Sequence, residues 1–449
     1  MTARATRQKF WVTASLGAAV AVLAACGGGG GGGSATNQAS APGITTTSVT
    51  IGSTQPLTGP AAPGYSEIAP ASNAYFQYVN AHGGVFGRKI KYTFLDDQYN
   101  PTNTATLTRR LVLQDNVYAM YSALGTPTHL SVVDYLNTEK VPDLLVSSGC
   151  NCWDNVSQHP YTFGFQPAYT IEGKILGQYV KQTYPGMKAG YFAQGPNDEF
   201  GDDGVAGLND VLKNSGVTVA SPVQYYAPTT AGAMGVKAEM AALQGQGVQV
   251  VICFSIPAFT ATALASAASI GYHPVFVVSN VGSDPPTLTA ILTGGALGVT
   301  LPAALIGGMV SDAYLPLVSD SGNPWITLFK SIKSTYAPSL PWDGNVLYGF
   351  AQAYTFVQAL RAAGRNPSRA DIVHALESSH FNDGPGVVPF GFSSTNHLGY
   401  LGVQVDKTSA DGTQTTVGPV YTTDNNAGSA ITQAPALSST PPSSGIPSD

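Results

Sequence analysis

The chain has 449 residues, with 20 Lys and Arg against 26 Asp and Glu, a formal net charge of −6 and only 10% charged residues. This length and a 43% hydrophobic content suit a folded chain with room for two domains and exclude a largely disordered one. The acidic balance argues against a nucleic-acid partner. Four cysteines are too few for a disulfide-built scaffold.

In chain order, Arg4, Arg7 and Lys9 come first, and residues 10–25 are apolar apart from small polar Thr13 and Ser15. The run is too short and too rich in alanine for a good transmembrane helix, and it has the layout of a secretory signal. It ends in Leu23-Ala24-Ala25-Cys26. This resembles a bacterial lipobox, which implies removal of residues 1–25 and a lipid on Cys26. The plainer alternative is an ordinary signal peptide with a chance cysteine. Residues 26–43 read as a Gly-rich, flexible tether. They match GxGxxG, but no strand precedes and no helix follows, so a dinucleotide site fails on context. No later segment is apolar and long enough to span a bilayer, so the membrane is reached through the lipid only.

From Ile44 onward, short apolar runs alternate with amphipathic stretches. Strands are predicted at 49–53, 91–95, 118–124, 144–147, 189–193, 248–254 and 275–279. They are apolar on both faces, as in a covered parallel sheet. Ile68, Ala71, Tyr75 and Val79 form a helical stripe that Gly83-Gly84 stops. Pro101 opens a second helix leading to Leu107, Leu111 and Val112. Residues 258–270 and 346–363 are two more. Strand–helix alternation predicts an α/β fold with right-handed crossovers. No strong linker interrupts residues 44–420, so several close crossings, not one loop, would join two lobes. Residues 425–449 are mostly Ser, Thr, Pro, Ala and Gly with few large apolar residues, and read as a disordered tail.

Cys253 lies in an apolar run and reads as a buried thiol. Cys150 and Cys152 flank Asn151. A tight local disulfide is the favoured reading, with two free thiols or half of a metal site as the alternatives, although no CxxC or HxH partner completes a metal site.

Ordered segments over residues 44–420 resemble the type I periplasmic binding proteins of the Leu/Ile/Val-binding class. They are Ile51-Gly52 with Leu57-Thr58-Gly59-Pro60, then Val79-Asn80-Ala81-His82-Gly83-Gly84-Val85-Phe86-Gly87-Arg88, then Asp96-Asp97 with Pro101. Leu124-Gly125-Thr126-Pro127-Thr128, Lys140-Val141-Pro142, Ser147-Ser148-Gly149 and Asn197-Asp198-Glu199-Phe200-Gly201 follow. The resemblance implies two Rossmann-like α/β lobes with central parallel sheets joined by a multi-crossing hinge. Residues 44–167 with 311–390 would form one lobe and residues 168–310 with 391–424 the other. Crossings are expected near residues 165–168, 310–312 and 391.

Ligands of open α/β sheets bind beyond the carboxyl ends of strands. There Thr58, Gly59, Gly125, Thr126, Thr128, Ser147, Ser148 and Gly149 would offer hydroxyls and bare amides to an anionic or carbonyl oxygen. The bland alternative is that Thr58, Thr126 and Ser147 only cap helices. Tyr65 and Phe200 are candidate cleft walls or lobe core. Trp153 and Trp342 could stand at its rim. In amino-acid-binding members an acidic residue of the second lobe holds the ammonium, and an aromatic assists. Asn280 and Ser255 or Ile256 stand at those places here. A buried ammonium without a carboxylate is costly. The expected ligand is therefore an amide, a carboxylate or an aromatic acid, unless Asp284 turns in.

Adjacent Asp96 and Asp97 point to opposite strand faces and cannot pair across one substrate; they read as turn and capping residues. No GxSxG, SxxK, HExxH or GxxxxGK[ST] motif occurs, so no enzyme, cofactor or metal is expected. The resemblance implies a monomeric, lipid-anchored protein on the extracytoplasmic face of a bacterial membrane. It would close on a small molecule and pass it to an ABC permease. The alternative is a sensor presenting the ligand to a signalling receptor.

Overall fold

The computed structural model describes residues 36–448 except 214, 229–234, 296 and 299. The expected signal peptide, Cys26 and the glycine run 27–33 lie outside the described residues. Residues 37–449 form one unit, built on two sheets. The first has five parallel strands, β1 (Ser48–Gln55), β2 (Lys89–Asp96), β3 (Ala119–Tyr121), β4 (Asp143–Val146) and β5 (Thr162–Gly164), in the order β2-β1-β3-β4-β5. Helices return the chain between them: α1 (Ala62–Tyr65) and α2 (Ile68–Ala81), α3 (Pro101–Leu113), then α4 (Thr126–Leu130) and α5 (Val133–Thr138). Local signals set these ends. Asn100 Oδ1 accepts from Thr102 N–H at 2.9 Å and caps α3, with Pro101 in the first turn. α2 stops where Gly83 and Gly84 take φ of 98° and 71°, the second donating its N–H to Val79 O at 2.9 Å.

The second sheet has eight strands: β6 (Ala189–Gln194), β7 (Gln224–Tyr226), β8 (Val250–Phe254), β9 (Val275–Val278), β10 (Val310–Ala313), β11 (Gly402–Thr408), β12 (Gln414–Thr422) and β13 (Thr432–Ala434). Their order is β13-β12-β11-β10-β9-β8-β6-β7. It is parallel from β7 to β10 and antiparallel from β10 to β13, so it is not wholly parallel as expected. The polar β11–β12 hairpin adds at the edge, where one face may stay wet without cost to the core. Its helices are α6 (Tyr169–Thr183), α7 (Glu199–Leu212), α8 (Lys237–Gly245), α9 (Pro257–Ser269) and α10 (Pro285–Thr293). α6 and α7 touch backbone to backbone. A Cβ on Gly207 would stand 2.3 Å from Thr170 O, and one on Gly173 2.4 Å from Gly204 O.

Three helices, α11 (Pro324–Tyr336), α12 (Gly344–Ala362) and α13 (Arg369–Ser378), return to the first lobe. Ser72 Oγ donates to Gly349 O at 2.8 Å, and Tyr118 OH to Ser368 O at 2.8 Å. The chain thus passes between the lobes three times: after β5, after β10 and before β11. The crossings lie side by side, with Tyr400 N–H donating to Phe165 O at 3.3 Å and Val387 N–H to Tyr314 O at 2.9 Å. The expected boundary at 311 divides β10, whose residues pair with β9 and β11 in the second sheet. The stretch after 391 stays on the first lobe, where His397 stacks on Phe163 at 3.8 Å.

Both expected flexible ends need correction. Residues 37–43 are fastened by the buried Arg88 guanidinium, which donates to Gln38 O at 2.7 Å and to Asn37 Oδ1 at 3.2 Å. Residues 425–448 are laid along the body instead of forming a disordered tail. β13 pairs with β12, Trp325 Nε1 donates to Ser439 O at 3.0 Å, and Tyr75 OH donates to Gly445 O at 2.8 Å. Backbone hydrogen bonds, which composition does not encode, hold this stretch in place of apolar area. No helix among the described residues is long and apolar enough to cross a membrane.

Candidate ligand-binding cleft

A cavity of about 140 Å³ lies where the carboxyl ends of the two sheets meet. From the first lobe, Tyr65, Gly125, Thr126 and Ser147 line it; from the second, Phe200 and Asn280 do. Gly125, with φ of 106°, opens α4 so tightly that a Cβ there would stand 2.4 Å from Thr128 Oγ1. Thr126 Oγ1 lies 2.7 Å from Ser148 Oγ and 3.3 Å from Tyr169 OH. Ser147 Oγ accepts from Gln352 Nε2 at 3.0 Å and lies 3.0 Å from Ser122 Oγ.

The remaining sequence candidates stand apart from the cavity and have other tasks. Thr58 N–H donates to Asp96 Oδ1 at 3.1 Å, tying the ends of β1 and β2 together. A Cβ on Gly59, at φ of 88°, would meet Gln98 O at 3.0 Å, so Gly59 only lets that loop close. Thr128 Oγ1 donates back to Leu124 O at 2.7 Å. Ser148 stands behind Thr126, and Gly149 makes room at a crossing, its carbonyl accepting from Tyr169 N–H at 2.7 Å. Ser255 Oγ is turned to Thr260 Oγ1 at 2.7 Å, leaving Ile256 to line the cavity. Trp153 is core, with Nε1–H donating to Ser148 O at 3.0 Å, and Trp342 carries Lys330 over its ring at 5.3 Å. Asp97 accepts from Tyr99 N–H at 2.9 Å and Thr104 Oγ1–H at 2.8 Å, a capping role as read. Cys150 and Cys152 form a disulfide and Cys253 is a buried thiol.

Several lining residues carried no motif. Tyr99, Tyr169, Tyr314 and Tyr348 surround the space, and Leu315, Leu317 and Val318 come from the crossing after β10. Burial raises all four phenols, keeping them neutral donors. The most consequential omission is acidic. Asp312, at the end of β10, lines the cavity, and Glu172, on α6, stands behind it with no exposure. Asn280 N–H donates to Glu172 Oε1 at 3.1 Å and to Asp312 Oδ1 at 3.2 Å, and its Nδ2 also donates to both carboxyls. The carboxylate absent from position 280 is thus supplied from two other elements, which removes the ground for excluding an ammonium. Burial raises Glu172 well above the usual carboxylate range, and Asp312 adds to this. Burial, then Asp406, pushes Asp312 up to about 7. Asp284 does line the cavity, and its carboxyl is engaged there: it accepts from Thr287 N–H at 3.0 Å and from Gly344 N–H at 2.8 Å. No Lys, Arg or His is among the described residues lining the cavity.

The lobes touch across the opening. Tyr65 OH donates to Val281 O at 2.9 Å, Gly344 N–H to Asp284, and Asn345 Nδ2 to Thr287 Oγ1 at 3.0 Å. Each bond joins the first lobe to the second, so this is a closed arrangement. Such a cavity can enclose a small molecule with an apolar body and one polar end.

The model of a family described as "Periplasmic binding protein" matches residues 48–431. A "Leu/Ile/Val-binding protein homolog 8" of Brucella melitensis is 25% identical over 361 residues, 76% of this chain and 83% of the relative. Among solved structures, a branched chain amino acid ABC transporter protein from Thermus thermophilus with bound valine has a TM-score of 0.72 at 19% identity, covering 84% of this chain and 97% of that one. A fatty acid ABC transporter substrate-binding protein from Thermomonospora curvata has a TM-score of 0.71 at 22% identity, covering 86% and 95%. These likenesses match the architecture of paired sheets joined by three crossings.

Proposed function

Starting from the chain's membership of the periplasmic binding protein family, we propose that it captures a small solute by lobe closure and delivers it to an ABC importer. The solute is of the branched-chain amino acid, amide or carboxylate class. The protein is held by a lipid on Cys26 at the extracytoplasmic face of the membrane and catalyses nothing. The observation that carries this reading is the cavity between the lobes, closed over by hydrogen bonds that each join one lobe to the other. Ligand contacts from both lobes favour the closed form, which the permease would read. Relatives titled for valine and for fatty acid share the architecture, and the apolar wall around Leu315 and Leu317 suits either hydrocarbon body.

The test is mass spectrometry of small molecules released by denaturing the natively purified protein, alongside thermal shifts with amino acids, amides and acids. A ligand at roughly 100 Kd adds about 2.7 kcal/mol of stability. A molecule recovered unchanged, or a stabilising one, supports capture. A chemically altered molecule would replace the binding role with an enzymatic one.

A further inference from the structure

The second-lobe wall of the cavity is rich in carboxyls: Asp284 lines it, engaged by Thr287 N–H and Gly344 N–H, and a second group stands around Asn280. Asp312, 3% exposed, lines it, and Glu172 is fully buried behind. Asn280 has only two donor groups, its N–H and its Nδ2, and both go to these carboxyls. What remains to Asn280 is its amide oxygen, another acceptor. Glu172 Oε2 is buried and receives no donor. The two carboxyls face each other, a contact that becomes a hydrogen bond only when one of them holds a proton.

Among the described residues, no Lys, Arg or His lines the cavity to offset them. Lys174, on the same helix as Glu172, is taken by Asp210 at 3.5 Å and by the carbonyl oxygens of Asp424 and Asn426. From β11, Asp406 faces Asp312 and is itself held by Ser311 Oγ at 2.7 Å and Gln414 Nε2 at 3.0 Å. The phenol of Tyr314, and near it those of Tyr348 and Tyr400, are kept neutral by burial.

We infer that Asp312, backed by Glu172, makes this cavity select a ligand bearing a cationic nitrogen on an apolar body, an amine or amino-amide in preference to an acid of the same size. This rests on the binding reading above. The reason is charge balance in a poorly hydrated space. A carboxyl pair sharing one proton carries one negative charge, which a monocation neutralises. An acid adds a second negative charge with no Lys, Arg or His to meet it. A zwitterionic amino acid leaves its carboxylate to neutral donors alone, the lining phenols and the Thr126 and Ser147 hydroxyls, the latter two already bonded to Ser148, Tyr169, Ser122 and Gln352.

The test is isothermal titration of the purified protein with four compounds of one branched hydrocarbon body: 3-methylbutylamine, leucinamide, leucine and 4-methylpentanoate. At pH 7.5 the amine and the amide are expected to bind at least about tenfold more tightly than the acid. With burial raising Asp312 towards 7, amine affinity should fall severalfold from pH 7.5 to 5.5. About one proton should be released per amine bound at pH 5.5, read by comparing two buffers of different ionisation heat. Asp312→Asn should abolish the preference and the proton release, with circular dichroism confirming that the variant is folded. Tighter binding of the acid, a flat pH profile, or a folded Asp312→Asn that keeps the preference would overturn the inference and leave the binding role standing. Failure of all four compounds to bind would overturn both this inference and the ligand class proposed above.

Discussion

Replacing Tyr65 by Phe removes one hydroxyl and little else. The ring stays in its buried place beside the cavity, while the 2.9 Å bond from Tyr65 OH to Val281 O is lost. In the closed form Val281 O then has no Tyr65 donor; in the open form water reaches it. A neutral hydrogen bond contributes a net 1 kcal/mol or about that, which shifts the closed-to-open ratio roughly fivefold. Apparent affinity scales with the fraction of the binding-competent form, so Kd should rise roughly fivefold. The change should appear in the dissociation rate, since the open form meets the ligand as before. Stopped-flow fluorescence with the natural ligand gives both rates, and ligand-free Tm should move by less than about 1 °C. Thr287→Val, which removes the 3.0 Å bond from Asn345, serves as a second break in the same seam. Unchanged dissociation in both variants, or an equal loss of stability with and without ligand, would refute the closure argument.

Gly207→Ala should lower stability by roughly 1–3 kcal/mol by denaturant unfolding, because the new methyl would stand 2.3 Å from Thr170 O where α6 meets α7. Ending the chain after Thr423 should lower Tm by several degrees and speed proteolysis, since the deleted stretch holds Lys174, Trp325 and Tyr75; an unchanged Tm would mean that these bonds stabilise nothing. The pH dependence follows from carboxyls that burial raises to about 6, namely Asp97, Asp203, Asp284 and Asp406. Their folded values lie above their unfolded ones, so the stability they contribute is full below about pH 4 and is lost as pH rises through about 6. Ligand-free Tm should accordingly be higher at pH 5 than at pH 8, and calorimetry across that range decides it.

Much of the fold was legible because its signals are local. The stripe of Ile68, Ala71, Tyr75 and Val79 ends at two glycines, and Pro101 follows a capping Asn100. β5 and β7 have three residues each, too few for a period, and β12 is largely exposed, so neither kind announces itself. At the site, Tyr65, Gly125, Thr126, Ser147, Phe200 and Asn280 could be found because they follow strand ends in order. The directions of the Thr128 and Ser255 hydroxyls depend on rotamers and neighbours, which spacing does not encode. Glu172 sits inside α6, which the sequence pattern did not single out, and Asp312 sits at a crossing. Their meeting at Asn280 joins three distant stretches of chain, so no local pattern contains it. The polar end of the chain was misjudged because anchors such as Tyr75 lie 370 residues away from the backbone they hold.

The three crossings also set an order of assembly. The first lobe begins with β1, yet one face of its sheet is covered by α12, with Ser72 Oγ bonded to Gly349 O across 277 residues. Arg369, donating to Val117 O at 2.7 Å, fastens β3 from 252 residues downstream. Contacts of such separation carry a large loop-closure entropy and form late. β6 to β10 and their helices, by contrast, occupy one unbroken stretch of chain. A growing chain therefore holds an unfinished first lobe while β6 to β10 of the second can already pack against their helices. Maturation of the cleft then waits on the last third of the chain, and a protein cut short within α12 would keep β6 to β10 but lack β11 to β13 of the second sheet and the binding site.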